Sequence, residues 1–223
     1  LFFNQFGYGV HVYGSENAAL NNFTIQGNTV VNSSIGDQTG MSGGMEYQVG
    51  GGAPLVNLVF TQNNSYQSPS NRGHHSARIG MSGGATNSGG TITNSYLVGP
   101  WIVSNFSGAT MSNNTIIDGS MPTSTKVIVQ PNKYEAGRAN VVIYNWGRQG
   151  AVSVDLSKVL KSGDSYEVRN AQNFYAAPVA SGTYNGGSIS LPITNAAPAP
   201  TISSRGKAVS TGTEFNAYVV VKK

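Results

Sequence analysis

The chain has 223 residues and a net charge of +4, with only 10% charged residues, 29 glycines and no cysteine. The charged fraction lies well below the usual ~25%, so the composition excludes the highly charged class of disordered chains. The lack of cysteine excludes disulfides, thiol catalysis and cysteine-bound metals. No apolar run is long enough for a membrane-spanning helix. The composition therefore indicates an all-β protein with many turns and a surface of amides and hydroxyls.

Positive charge is concentrated in the second half of the chain. Residues 126–223 carry eleven Lys and Arg against five acids, whereas residues 1–125 carry two against four. The bases are scattered, and neither a basic cluster nor a nucleic-acid-binding motif accompanies them. We therefore predict a solvated basic surface and no nucleic-acid partner.

The first half contains an internal repeat, in which alternating apolar residues flank one asparagine. The four copies read N-T-V-V, N-N-S-Y, N-S-Y-L and N-T-I-I, starting at Asn28, Asn63, Asn94 and Asn114. A second stretch with strand-like alternation precedes each copy, at residues 9–13, 44–49, 77–81 and 101–106. One such coil cannot bury its own apolar face, whereas stacked coils can. An asparagine at each bend tolerates the left-handed backbone conformation that the bend requires.

These asparagine turns resemble the right-handed parallel β-helix superfamily, the pectate-lyase-like fold, over roughly the first 120 residues. The resemblance implies a first domain of parallel β-helix coils over residues 1–122. The longer repeat steps exceed those of compact solenoid coils, so we predict protruding loops at 34–43 and 67–76. The chain opens on Leu1-Phe2-Phe3 without an initiator methionine, and we expect an N-terminal β-helix region of the same protein to precede it.

The second half has a different pattern, with strands predicted at 126–130, 139–146, 151–156, 165–169, 188–191 and 215–221. Their spacing predicts a small antiparallel β-sandwich over residues 123–223. The segment resembles the accessory β-sandwich that ends many glycoside hydrolases and β-helix carbohydrate proteins. That resemblance implies a domain that caps the open strand edges of the coils and takes no part in catalysis.

The densest group of candidate catalytic residues is Arg72, His74, His75 and Arg78. An arginine neutralises a uronate carboxylate by bidentate hydrogen bonding, and a nearby histidine acts as acid or base in β-elimination. The resemblance to polysaccharide lyases of this fold favours that reading. The alternative is a solvated polar loop. The first half lacks the paired carboxylates that glycoside hydrolysis requires, which argues against a hydrolase.

Four aromatic residues of the coil half are candidates for substrate binding, because aromatic rings on an outer face stack on sugars. They are Tyr13, Tyr47, Tyr66 and Trp101. The alternative is that these rings belong to the core, since aromatic residues favour strands in general. We predict no metal site and no cofactor.

These observations predict an extracellular or cell-surface protein that binds or acts on polysaccharide. If the protein is catalytic, the prediction is lyase-type cleavage of an acidic glycan. One alternative is a non-catalytic adhesion or structural module with the β-helix as a stalk. Another is a trimeric depolymerase resembling phage tailspikes. Sequence reasoning leaves open whether the protein is an enzyme, and it does not identify the substrate.

Overall fold

The computed structural model describes residues 1–15, 18, 20–35, 44–80, 86–200 and 207–223. Within these ranges the chain is all-β, which confirms the predicted class. It forms two compact units, Leu1–Met121 with Thr201–Val209, and Pro122–Pro200 with Ser210–Lys223. No helix of the described part has the length and apolar character needed to cross a membrane.

The first unit is a series of very short strands that the chain visits in a fixed order. The first four are β1 (Phe2–Phe3), β2 (Val10–Val12), β3 (Leu20–Asn21) and β4 (Thr24–Gln26). The next four are β5 (Thr29–Val31), β6 (Tyr47–Val49), β7 (Leu55–Val56) and β8 (Val59–Thr61). They are followed by β9 (Asn64–Tyr66), β10 (Ala77–Ile79), β11 (Asn87–Ser88) and β12 (Thr91–Thr93). The series ends with β13 (Tyr96–Val98), β14 (Trp101–Val103), β15 (Phe106–Ser107), β16 (Thr110–Ser112) and β17 (Thr115–Ile117).

Each strand pairs in parallel with the strand four positions later, so the chain makes repeated circuits through four sheets. Sheet A contains β1, β5, β9, β13 and β17, and sheet B contains β2, β6, β10 and β14. Sheet C contains β3, β7, β11 and β15, and sheet D contains β4, β8, β12 and β16. This confirms parallel pairing between repeats. The second predicted stretch of each repeat forms sheet B, and the asparagine-centred stretch forms sheets D and A.

Alternation along the strands separates a core face from an outer face in each sheet. In sheet B the core residues include Tyr47, Val49, Ala77 and Ile79, which pack with apolar residues of the other three sheets. Successive side chains of a strand point to opposite faces. The intervening residues His11, Gln48 and Arg78 are paired in register and therefore lie on the outer face of sheet B.

An asparagine ladder crosses the bend between sheets D and A, with one correction to the predicted repeat. The Asn63 side chain accepts hydrogen bonds from the backbone N–H of Asn28 at 3.1 Å and donates to the carbonyl of Ile25 at 2.8 Å. In the next circuit the ladder position is Ser95, because Asn63 N–H donates to Ser95 Oγ and Ser95 N–H donates to Asn114 Oδ1. The repeat steps along the ladder are thus 35, 32 and 19 residues.

Asn94, which was predicted to occupy the ladder, lies one residue earlier and has a different role. Its φ of 55° matches the equivalent positions of the other circuits, Gly27 at 68°, Gln62 at 55° and Asn113 at 55°. This is the left-handed region, which glycine and asparagine enter at the lowest cost. The bend therefore uses two adjacent positions, one for the backbone turn and the next for side-chain hydrogen bonds.

The second unit consists of antiparallel strands around its own core. Its strands are β18 (Lys126–Pro131), β19 (Arg138–Tyr144), β20 (Ala151–Asp155), β21 (Ser165–Asn170), β22 (Ala180–Thr183), β23 (Ser188–Pro192) and β24 (Phe215–Lys222). A five-stranded sheet has the order β18-β19-β24-β21-β22, and β20 pairs with β23. Both sheets contribute to one apolar core. All six predicted strands are confirmed, and β22 is an additional strand. Short 3-10 helices are formed by Pro69–Asn71 and Ala171–Asn173.

Candidate functional site

The connections from sheet A to sheet B differ greatly in length, and the longer ones carry the polar candidates. They comprise residues 4–9, 32–46, 67–76 and 99–100 in the four circuits. The predicted loop at 67–76 forms the third connection. Most of the predicted loop at 34–43 lies outside the described residues, because residues 36–43 are not described.

The predicted Arg/His group lies on the third connection and the strand that follows it. Arg72 Nε donates to the carbonyl of Gln67 at 3.2 Å. The residues Arg72, His74, His75 and Arg78 are all half-buried. The group is therefore partly built into the fold, and it differs from the fully solvated loop of the alternative reading.

The environment of His75 brings three of the predicted residues together with a carboxylate that sequence analysis did not select. Partial burial lowers the pKa of His75 below its ordinary value of 6.5, and the charges of Arg78 and His74 lower it further. Asp118 opposes these effects. The His75 side chain thus interacts electrostatically with Arg78 and with Asp118, which is 43 residues away along the chain. A lowered pKa keeps the imidazole neutral near pH 7, which is the form that accepts a proton.

Beneath this group lies a buried carboxyl, Glu46, which precedes β6 in the neighbouring circuit. It is fully buried, and burial raises its pKa to about 8, even though a hydrogen bond from Gln67 acts in the opposite direction. Gln67 Nε2 donates to Glu46 Oε2 at 2.8 Å and also to the backbone carbonyl of His74 at 2.9 Å. The Gln67 amide thereby joins Glu46 to the segment that carries the histidines.

The four predicted sugar-binding aromatics do not share one environment. Tyr47 and Tyr66 are fully buried, and the Tyr47 hydroxyl donates to the carbonyls of Asn28 and Asn64. Trp101 is half-buried and packs against the core of the first unit. Tyr13 is 60% exposed. Because a buried ring presents no face to a ligand, Tyr13 is the member of this set placed to stack on a sugar.

Two aromatic neighbours of Tyr13 extend the exposed surface on the outer face of sheet B. The His11 ring lies 4.3 Å from the Tyr8 ring and 5.7 Å from the Tyr13 ring, measured between centroids. Both tyrosines and His11 are exposed. A side chain at Gly51 would collide with the Tyr13 ring, so this glycine provides the space in which the ring lies. We call Tyr8, His11 and Tyr13 the aromatic patch.

His11 of the aromatic patch and Arg78 of the Arg/His group occupy the same face of sheet B. His11, Gln48 and Arg78 are consecutive partners in register across three strands. Strands lie about 4.8 Å apart, which places the backbones of His11 and Arg78 about 10 Å from each other. Gln48 lies between them, is only 7% exposed and donates to the carbonyl of Gly50. The sheet face thus presents the His11 ring at one side and the Arg78 guanidinium at the other.

A metal centre has no support in the described ranges, where no three His, Asp or Glu side chains are grouped to hold an ion. Sequence reasoning did not select His11, Glu46, Gln67 or Asp118 as residues of the site. His11 belongs to the alternating stretch that it identified, so strand parity could have placed this ring on the same face as Tyr13. Tyr8 precedes that stretch, and its place beside His11 is known from the contact between the two rings. The position of Asp118 depends on the register between circuits. Comparisons with protein-family models, curated proteins and solved structures give no match to this chain.

Proposed function

We propose that this protein binds an acidic polysaccharide on the outer face of sheet B. The observation that carries the proposal is that the exposed His11 ring, which contacts the exposed rings of Tyr8 and Tyr13, shares one face of sheet B with the half-buried Arg78 guanidinium. Aromatic faces pack against the apolar faces of sugar rings. A guanidinium binds a carboxylate by paired hydrogen bonds. Together these groups match a chain of sugar rings that carries carboxylates.

The architecture supports the same proposal at the level of the fold. Pairing of every fourth strand is the arrangement expected for a parallel β-helix, and we propose the right-handed, pectate-lyase-like form. A surface rich in amides and hydroxyls, with 10% charged residues, is consistent with an extracellular or cell-surface location. Fold alone does not establish activity, and therefore the proposal rests on the residues of the sheet face.

Substitutions at the two ends of this face are expected to weaken glycan binding without unfolding the protein. Arg78→Gln removes the carboxylate partner and should weaken binding to polygalacturonate by tenfold or more, with a smaller salt dependence. Tyr13→Ala should weaken binding several-fold. Isothermal titration calorimetry measures both effects. Matched controls in the second unit are Arg138→Gln, at a partly exposed side chain, and Tyr134→Ala, at an exposed one; both should bind like wild type. Equal losses in the controls, or no binding by wild type, would contradict the proposal.

Eliminative cleavage is the second candidate function, and the neutral His75 beside Arg78 favours it. Arg78 would neutralise the uronate carboxylate, which makes the proton on the adjacent carbon easier to remove. His75 would take that proton as the carbon–carbon double bond forms and the glycosidic bond to the neighbouring carbon breaks. The departing oxygen then receives a proton from solvent or from the imidazolium. The products are an unsaturated uronate and a free sugar hydroxyl, so atoms and electrons balance without a cofactor.

Cleavage by this route predicts a base with a low pKa. His75→Ala should reduce the formation of unsaturated uronate by a hundredfold or more, because general base catalysis contributes on that scale. The rate should rise with pH through a midpoint below 6.5, since His75 must lose its proton to act. Absorbance of the unsaturated product follows the reaction, and calorimetry shows whether binding survives. Binding with no absorbance change in wild type would contradict a lyase and favour a non-catalytic adhesion module.

A further inference from the structure

The long connection that carries the histidines is tied to the neighbouring circuit by one buried amide. Gln67 directly follows β9, and its Nε2 atom lies 2.8 Å from Glu46 Oε2 and 2.9 Å from the carbonyl oxygen of His74. Gln67 and Glu46 are both fully buried. One side chain thus links the start of the 67–76 connection, the residue before β6, and the backbone next to His75.

Space for this link is provided by a glycine of the following circuit. Gly99 has a φ of 116°, and a Cβ atom there would lie 3.1 Å from the His74 carbonyl oxygen and 3.2 Å from Gln67 Nε2. Both distances are shorter than ordinary carbon contacts. The close approach of the His74 backbone to Gln67 therefore depends on the missing side chain at this position.

Burial favours the protonated form of Glu46, whereas the hydrogen bonds from Gln67 and from the backbone of Glu46 and Ser33 act in the opposite direction. Within the described part of the chain, Glu46 Oε1 and Gln67 Oε1 are buried acceptors without a hydrogen-bond partner. A buried oxygen left without a donor costs free energy. A proton on Glu46 supplies one donor among these acceptors, and the raised pKa of Glu46 agrees with that state. The other charged or titratable groups around the link are Tyr47, which interacts with Glu46, and Arg72, whose Nε donates to the carbonyl of Gln67. His74 and His75 follow on the connection, and Arg78 lies in β10.

We propose that Glu46 and Gln67 are positioning residues for the sheet-B site, which fix the backbone at His74 and so hold the His75 imidazole beside Arg78 and Asp118. Neither residue touches the glycan, since both are buried, and they act through the segment that they anchor. The role of the anchored segment in glycan recognition rests on the proposed function. The positioning of the His74 backbone and of His75 is independent of the proposed function.

The test is the titration of His75 in variants of the anchor, followed by proton NMR of the imidazole. Substitutions of His11 and His74 assign the three histidine signals. Gln67→Leu removes both hydrogen bonds, and the His75 pKa should rise towards 6.5 as the ring leaves its half-buried place near Arg78. Glu46→Gln keeps a neutral partner for Gln67 and should preserve the wild-type titration. Gln172→Leu is the matched control, because Gln172 is a buried amide of the second unit with one hydrogen bond to Thr211 Oγ1.

Binding to polygalacturonate provides the second readout and should weaken about tenfold in Gln67→Leu. If that variant does not fold, Gln67→Asn replaces it, because the shorter amide cannot reach both partners. A folded Gln67 variant with the wild-type His75 titration would overturn the positioning role, as would an equal change in Gln172→Leu. A wild-type protein that binds no acidic glycan, yet whose His75 titration depends on Gln67, would overturn the proposed function and support the positioning role.

Discussion

Raising the pH from about 4.5 to about 8 is expected to destabilise the wild-type protein by several kcal/mol relative to a Glu46→Gln variant. The pKa of the buried Glu46 is about 8 in the folded protein, against 4.5 for the ordinary group. Below pH 4.5 the carboxyl is protonated in both the folded and the unfolded state, and the pH has no effect through this group. Between pH 4.5 and about pH 8, the Glu46 carboxyl is ionised in the unfolded state but still protonated in the folded state. The free energy of unfolding therefore falls as the pH rises through this range. The upper limit is about 5 kcal/mol, at about 1.4 kcal/mol per pKa unit.

Chemical denaturation of both proteins between pH 4.5 and 8.5 measures this difference. His75 has a lowered pKa and changes stability in the opposite direction below pH 6.5, but it is present in both proteins and cancels. Glu135→Gln is a suitable control, because that side chain is 54% exposed beside Arg138. A constant difference between wild type and Glu46→Gln across the pH range would show that Glu46 ionises normally and that the buried link is incorrectly described.

Asn63→Ala is expected to lower the free energy of unfolding by about 2–4 kcal/mol, because the substitution leaves several buried groups without partners. Asn63 is fully buried, and its side chain serves the backbone N–H of Asn28 and the carbonyl of Ile25. Alanine can replace neither hydrogen bond. The lost hydrogen bonds join the first and second circuits. The first unit should therefore unfold at a lower denaturant concentration.

Asn94→Gly is the matched control for this position in the next circuit. Asn94 has a φ of 55°, which glycine adopts without strain, and the ladder hydrogen bonds there belong to Ser95. The stability should change by less than about 1 kcal/mol. A loss in Asn94→Gly as large as that in Asn63→Ala would mean that Asn94 occupies the ladder, as the repeat predicted, and that the assignment of this position to Ser95 is wrong.

The predictable parts of the fold are those in which a physical pattern extends over several residues. Alternation over three or more residues located the strands of sheet B and six strands of the second unit. The strands of sheet C were not predicted, because each has only two residues. Two residues are too few to show an alternating pattern. Ser95 was misassigned for a different reason, since a hydroxyl replaces an amide in the ladder and the neighbouring Asn94 fits the expected residue type.

The candidate site was less predictable, because its residues meet through the register between circuits. Composition and loop length identified Arg72, His74, His75 and Arg78, but they could not show that Asp118 influences His75. The sequence pattern alone does not distinguish the buried Tyr47 and Tyr66 from the exposed Tyr13. Only the parity of each strand and the packing of the core separate a buried ring from an exposed one.

The position of β24 has a consequence for the order in which the protein is synthesised. This strand is the last of the chain's described strands, yet it lies in the middle of the five-stranded sheet, between β19 and β21. The earlier strands of that sheet leave the ribosome with the central place empty. Neighbouring circuits of the first unit, by contrast, pair at separations of only 19 to 37 residues and can associate while translation continues. The sheet of the second unit is incomplete until Phe215–Lys222 is synthesised, and during that interval the unpaired edges of β19 and β21 favour aggregation.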